Sequence, residues 1–303
     1  MKHRGDRVDG VLLLDKPAGI SSNAALQRAR RALNAGKAGH TGTLDPLATG
    51  LLPVCLGEAT KFAQFLLDAH KRYRATVRFG VATDTLDAEG AVVATRPVAL
   101  DAADIAAALP ALTGAQLQIP PAHSALKHRG RAHYHYARAG EDVPRVPRAV
   151  EVMRLTLLDW RPPDAIVDVE CGKGTYVRVL AADLGERLGC GAHLAALRRT
   201  ATGGFDVEDA IGLDRLEALD LSARRLHVRP VNVLIAHLPR LDLATDEADA
   251  FVHGRDVAAP ADASGVHAVF AEHGLIGVAD ARDGRAQPRR VLAGGAAAHM
   301  QAA

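Results

Sequence analysis

The chain has 303 residues, 48% of them hydrophobic and 24% charged, with a formal net charge of +2, an ordinary profile for a soluble globular protein of one large and one small domain. Three scattered cysteines, Cys55, Cys171 and Cys190, form no CxxC pair, which excludes a disulfide framework and a paired-cysteine zinc or redox site; they read as small buried hydrophobes. No apolar run approaches twenty residues and the N-terminus is polar, so neither a transmembrane helix nor a signal peptide is expected, and the protein is placed in the cytoplasm.

Residues 10–15 (GVLLLD) read as a short buried strand, broken by Lys16-Pro17-Ala18-Gly19. Ser21 or Ser22 can cap a helix running to about Leu33. Residues 34–50 read as a loop, 51–56 as an apolar segment and 60–67 as a helical turn or two. KRYRATVRFGV (71–81) alternates as a strand does. An Asp-capped helix is expected over 101–112, ending near Pro110. From Gln118 to Arg148 the pattern is poor and basic, which suggests a long functional loop or insertion; its HYHY run (133–136) fits a strand or a helix face. Strands follow at 150–159 and 165–171, then a helix over 177–188 and another strand region at 192–206. Beyond about 240 come a short helix (245–253) and three strands (267–271, 275–281, 289–292) with tight-turn signals between them, the mark of a small β-rich domain. The sequence closes on an Ala/Gly-rich tail.

Charge is unevenly spread. Residues 1–40 hold eight Lys and Arg against three acids, and 124–154 hold seven against three, whereas 206–250 hold ten acids against five arginines. Such asymmetry fits a polyanionic partner on one face, and it also fits solvated surface. The most informative stretch is Gly39-His40-Thr41-Gly42-Thr43-Leu44-Asp45-Pro46-Leu47-Ala48-Thr49-Gly50. Pro46 disfavours the α region for Asp45, and glycines at 42 and 50 permit close backbone approach to a ligand. Asp45 can thus be fixed at the mouth of a cleft; the same Asp-Pro pair also suits the start of a helix.

GHTGTLDPLATGLL resembles the catalytic motif of TruB-type tRNA pseudouridine synthases, and further motifs follow in that family's order. GVLLLDKPAGISSN (10–23) resembles its N-terminal motif, KRYRATVRFG (71–80) its tyrosine motif, and PPAHSALKHRGRAHYHYARAG (120–140) its RNA-contacting insertion. CGKGTYVRVLAADLGERLGCGAHLAALRRTATGGF (171–205) resembles its arginine motif and the strand after it. The likeness spans residues 10–205 nearly without gaps. His123, where relatives carry an aromatic, and Gly203-Gly204-Phe205 depart from the pattern, the first bearing on the insertion's local contacts.

The resemblance implies an α/β (α+β) pseudouridine synthase fold, a central mixed, largely antiparallel sheet with flanking helices. It implies a catalytic domain over 1–238, an insertion over about 120–148 and a small PUA-like domain over 239–303 that grips the acceptor stem. The implied activity is isomerisation of uridine 55 in the T-arm of tRNA, after the nucleotide is flipped from its stack. By the same resemblance Asp45 is the catalytic carboxylate, nucleophile or base, and Arg178 keeps it ionised. Tyr73 stacks on the extruded uracil and its hydroxyl joins the final proton removal, His40 fills the vacated space, and Leu197 is an apolar wall. Lys16 and Lys61 are expected as phosphate or site-lining contacts, and the insertion's arginines, Arg129 and Arg131 among them, as RNA contacts. The isomerisation consumes nothing, so no cofactor or metal is expected; the partner is tRNA and the state a monomer. Rival readings are a non-catalytic tRNA-binding or tRNA-folding protein, and a hydrolase using Asp45, which would lack a second carboxylate in a comparable motif.

Overall fold

A computed structural model describes residues 5–124 and 126–292; the first four residues and the Ala/Gly-rich tail lie outside them. The main sheet is built from β1 (Gly10–Lys16), β2 (Ala38–His40), β3 (Thr49–Leu56), β4 (Lys71–Phe79), β5 (Gly114–Gln118), β6 (Arg148–Arg161), β7 (Asp164–Cys171), β8 (Ala192–Thr202) and β9 (Ile211–Gly212). Their order is β9-β1-β3-β8-β4-β7-β6-β5, with β2 paired to β3. The β1–β9 and β3–β8 pairs are parallel and the other neighbours along this path antiparallel, as expected for a mixed, largely antiparallel sheet.

The apolar run of β1 is buried on both faces because side chains alternate along a strand. Leu12 and Leu14 pack with Ala25, Leu26 and Ala29 of helix α1 (Ser22–Ala32). Val11 and Leu13 point the other way, into a cluster with Phe62, Leu275 and Val278. Ser21 caps α1 by accepting from the Ala24 N–H at 3.1 Å, and Arg30 and Arg31 sit favourably in its last turn. On another part of the sheet, β4, β7 and β8 pack against helices α2 (Ala102–Ala108) and α4 (Val177–Arg187). Asp101 caps α2 in a reciprocal box with Asp104, and the helix tightens into a 3-10 turn over Leu109–Leu112, where Pro110 has no N–H to continue it.

Two stretches read as loops hold regular structure. Residues 34–50 include β2, and β3 starts at Thr49 rather than 51. Neither is visible as a periodic run, because Thr49 and Gly50 are extended by pairing with Arg198 and Arg199, far away in sequence. The 118–148 stretch is no structureless loop: strands Lys127–His128 and Arg131–Ala132 flank a turn at Arg129 and Gly130, with φ of 48° and 82°, followed by helix α3 (His133–Arg138). The HYHY run is therefore helical. The edge strand β5 and the hairpin of Val81–Thr83 with Val92–Thr95 were not expected either.

The C-terminal sheet comprises β10 (Arg240–Asp242), β11 (Val257–Ala258), β12 (Gly265–Ala271), β13 (Gly274–Arg282) and β14 (Arg285–Val291), ordered β10-β12-β13-β14-β11, with a helix over Thr245–Val252. Asp283 and Gly284, both at positive φ (51° and 72°), make the tight turn that the sequence signals. One face packs on the helix through Leu241, Val269 and Phe251. The other presents Ala268, Leu275 and Val278 to Val11, Leu13 and Leu51 of the main sheet. Among the described residues no helix is long and apolar enough to cross a membrane.

Candidate functional site

The segment joining β2 to β3 carries Asp45, and several independent bonds fix it. Gly42 and Gly50 adopt φ of 105° and 101°, and a Cβ on Gly50 would lie 2.3 Å from the Arg199 carbonyl oxygen, so only glycine fits there. The Ser22 hydroxyl accepts from the Leu44 N–H (2.7 Å) and donates to the Leu44 carbonyl (2.9 Å). Lys16, fully buried, donates from Nζ to the carbonyls of Pro17, Ile20 and Pro46 at 2.8, 2.7 and 3.4 Å. The Gly19 N–H donates to the Pro46 carbonyl at 2.8 Å, and the Ala48 N–H to that of Asp45 at 3.1 Å. Asp45-Pro46 thus opens a single turn rather than a helix, leaving the carboxylate 38% exposed.

Arg178, near the start of α4, faces it from below with its Nε 3.0 Å from Asp45 Oδ2. The guanidinium is 4% exposed, and its two Nη atoms are held on the far side: Nη1 lies 3.4 Å from Asp87 Oδ2 and donates to the Thr85 carbonyl (3.1 Å), and Nη2 donates to the His123 carbonyl (2.8 Å). Asp87, also 4% exposed, accepts from Thr85 Oγ1 (2.5 Å) and from the Glu89 N–H (3.1 Å). A buried arginine held between two carboxylates cannot drift, so the Asp45 carboxylate faces a fixed positive charge. The insertion is tied to the same helix: Gln118 accepts from the Tyr176 N–H at 2.7 Å and donates to the Tyr176 carbonyl at 3.2 Å.

Asp45 and Arg178 line two adjoining cavities. The larger, about 670 Å³, is walled by Ser21, His40, Asp87, Glu89, His123 and Tyr134. The smaller, about 430 Å³, is walled by Lys71, Tyr73, Tyr176, Leu197 and Arg199. Each is roomy enough for a base with part of its sugar.

Burial pushes the Asp45 carboxyl above the usual carboxylate range; Arg178 opposes the shift and Asp87 adds to it. Burial lowers the Lys16 amine to about 8, against the pull of Asp45 and Glu89. Burial and the Arg199 charge lower His40, so the ring is neutral at pH 7, and burial raises the Tyr73 phenol, which stays protonated. If the ionised Asp45 is the active form, turnover falls with acid through a pKa above that of an ordinary aspartate. The expected observation is an acid limb in the pH profile of single-turnover rate that moves higher still when Arg178 is replaced by Met, because removing the guanidinium leaves burial unopposed.

Three family descriptions match consecutive parts of the chain. The TruB family pseudouridylate synthase N-terminal domain covers residues 30–177, the tRNA pseudouridylate synthase B C-terminal domain 178–236, and the pseudouridine synthase II TruB C-terminal region 239–292. A tRNA pseudouridine synthase B of Thiobacillus denitrificans is 56% identical over 294 residues, 97% of this chain and 99% of the relative. The chain belongs to the TruB family of pseudouridine synthases. A second TruB relative, the tRNA pseudouridine synthase B of Chromobacterium violaceum, is 54% identical over 299 residues, covering 96% of this chain and 98% of its own. Among solved structures, a chain of a Cbf5-Nop10-Gar1 complex superposes with a TM-score of 0.71 at 26% identity over 93% of this chain and 84% of its own. A chain of an H/ACA RNP bound to a substrate RNA containing 2′-deoxyuridine gives 0.70 at 25% identity, with the same coverage.

In this TruB chain the structure gathers Asp45, Tyr73, Arg178, His40 and Leu197 around the two cavities. Lys16 is buried, its amine spent on the carbonyls of Pro17, Ile20 and Pro46 rather than open to a phosphate. Lys61 lines neither cavity: its Nζ bonds Glu58 Oε2 (2.7 Å) and the Val291 carbonyl (2.8 Å), joining the 3-10 turn Gly57–Phe62 to the C-terminal sheet. Arg129 sits exposed at the hairpin tip, and Arg131 lies over the Tyr136 ring at 4.7 Å and donates to the His135 carbonyl at 3.2 Å. Sequence reasoning gave no role to Asp87, Lys71 or Arg199. A signal for Asp87 is present in TDTLDAEG (83–90), where acids and a glycine crowd a turn directly after a strand.

Proposed function

We propose that the protein converts uridine to pseudouridine in tRNA, at position 55 of the T-arm. The observation that carries this reading is the Asp45–Arg178 pair at 3.0 Å, set where two nucleotide-sized cavities meet. Support comes also from the near full-length relatives named tRNA pseudouridine synthase B.

The target base leaves its stack and enters the smaller cavity, where Tyr73 and Leu197 give it a flat apolar surface. Asp45 acts on the ribose as nucleophile or base, the C1′–N1 bond breaks, the uracil turns, and C5 takes the place of N1. Arg178 orients the carboxylate throughout. His40, neutral at the larger cavity, supports the stack that the uridine vacates. Residues 1–238 form the catalytic unit, with residues 120–148 reaching over the T-loop and Arg129 at their tip toward phosphates. The C-terminal sheet holds the acceptor stem, and one chain acts as a monomer.

An unmodified tRNA transcript carrying tritium at C5 of its uridines tests the reading. One tritium per tRNA is released without added metal or cofactor, and the release disappears when the uridine at position 55 is replaced by cytidine. A folded preparation that binds the transcript and releases nothing would leave only a tRNA-binding or tRNA-folding role.

A further inference from the structure

Among the described residues, two buried cations at the smaller cavity enter no ion pair, although the charge of Asp68, itself paired with Lys173, reaches the second of them, Lys71, and the reaction as described above uses neither. Arg199, on β8, is 1% exposed. Its Nε donates to the Leu51 carbonyl at 2.6 Å and its Nη2 to that of Gly42 at 3.2 Å. Tyr73 is paired with Arg199 directly across the β4–β8 strands, and its phenol lies within the electrostatic reach of the guanidinium. Among the described residues Arg199 enters no ion pair, and the groups whose charges act on it include no carboxylate. Lys71, 7% exposed, donates to the carbonyls of Leu66, Leu67 and Ala69 at 3.2, 2.7 and 2.5 Å, and burial together with the Arg199 charge lowers its amine to about 8. Both residues line the cavity with Tyr73 and Leu197.

Carbonyls satisfy the N–H donors of such groups without cancelling a full positive charge. Arg178 is the contrast, flanked by two carboxylates. A desolvated cation with no counter-ion is unfavourable in the resting protein, and is well placed for negative charge that exists only during turnover.

The reaction generates such a charge. When the C1′–N1 bond breaks, its electron pair leaves with N1 and spreads over O2 and O4 of the ring. On the ribose, the Asp45 oxygen bonds C1′, or Asp45 takes the C2′ proton and the C2′–H pair becomes a C1′–C2′ double bond. Rejoining reverses that step with C5 in place of N1: C5 loses its proton, N1 gains one, and no electron is lost or gained overall. We propose that Arg199, assisted by Lys71, supplies the positive potential that holds the uracil anion while it is detached from the ribose. It acts through its field, beside Tyr73 on the neighbouring strand, as a positioning residue and not as a proton donor.

This inference rests on the pseudouridine synthase reading, and the test separates the two. Single-turnover loss of the N-glycoside is followed by nucleoside chromatography on T-arm stem-loops bearing uridine or 5-fluorouridine at the target. Fluorine withdraws charge and stabilises the detached anion by itself. Arg199→Gln slows the uridine substrate about a thousandfold, the scale of a lost transition-state charge stabiliser, and slows the fluorinated one at least about tenfold less, with RNA affinity retained. Arg199→Lys, which keeps the charge, stays within about tenfold of wild type on both. Equal slowing of both substrates by Arg199→Gln, or no slowing, overturns the inference. Should the glutamine variant not fold, Arg199→Lys decides: it must preserve the wild-type ratio of the two rates, and an altered ratio overturns the proposal. Wild-type protein that leaves uridine intact would defeat the enzyme reading itself, and this inference with it.

Discussion

Asp45→Asn converts no measurable uridine and binds tRNA as tightly as the wild type. The amide keeps the volume and the turn, since the bonds that fix the loop run through Ser22, Lys16 and Gly19 and not through the Asp45 side chain. What it removes is the negative charge and the nucleophilic oxygen. For a group that acts directly on the reacting centre, the loss in rate is at least about 10⁴-fold. Tritium release under single-turnover conditions reads the rate, and filter binding reads the affinity. A parallel loss of binding would make Asp45 a structural residue of the RNA surface and not the reactive one.

Arg178→Met damages both turnover and folding. The substitution strands Asp87, 4% exposed, without its cation, and an uncompensated buried charge costs about 3–5 kcal/mol. Turnover falls by about 10²–10³-fold, because the carboxylate of Asp45 loses the fixed cation that faces it. The double variant Arg178→Met with Asp87→Asn separates the two effects. Removing the stranded charge restores most of the stability in urea unfolding while activity stays low. Recovery of activity together with stability would mean that the guanidinium serves the fold alone.

The backbone of the Asp45 turn was legible in the sequence because its determinants are local. Pro46 and the glycines at 42 and 50 dictate the backbone around Asp45 whatever lies elsewhere. The long alternating or apolar strands were legible for the same reason, as was the two-turn pattern of the C-terminal sheet. Asp87 was not, because its acidic turn signals a loop without telling a solvated acid from one buried against an arginine 91 positions later. Arg199 was hidden by its neighbour: Arg198 pairs with Asp15 at 2.8 Å, and only the strand's alternation sends the adjacent guanidinium into the cavity. Lys61 misled because a lysine near a reactive motif suits phosphate as well as a carbonyl cap, and its partner, Val291, lies 230 residues away. The short helix over 133–138 carries too few turns for a periodic signal.

The two-sided burial of β1 has a mechanical consequence. Its Val11 and Leu13 are embedded in the same apolar mass as Leu275 and Val278, and its last residue, Lys16, bonds the carbonyls of Pro17 and Ile20 and reaches that of Pro46, the residue after Asp45. One rigid rod therefore joins the C-terminal sheet to the reactive turn over seven residues. On the proposed reading, in which the C-terminal sheet holds the RNA, this rod fixes the span between that grip and Asp45 like the jaws of a caliper, and so selects by length which nucleotide arrives there.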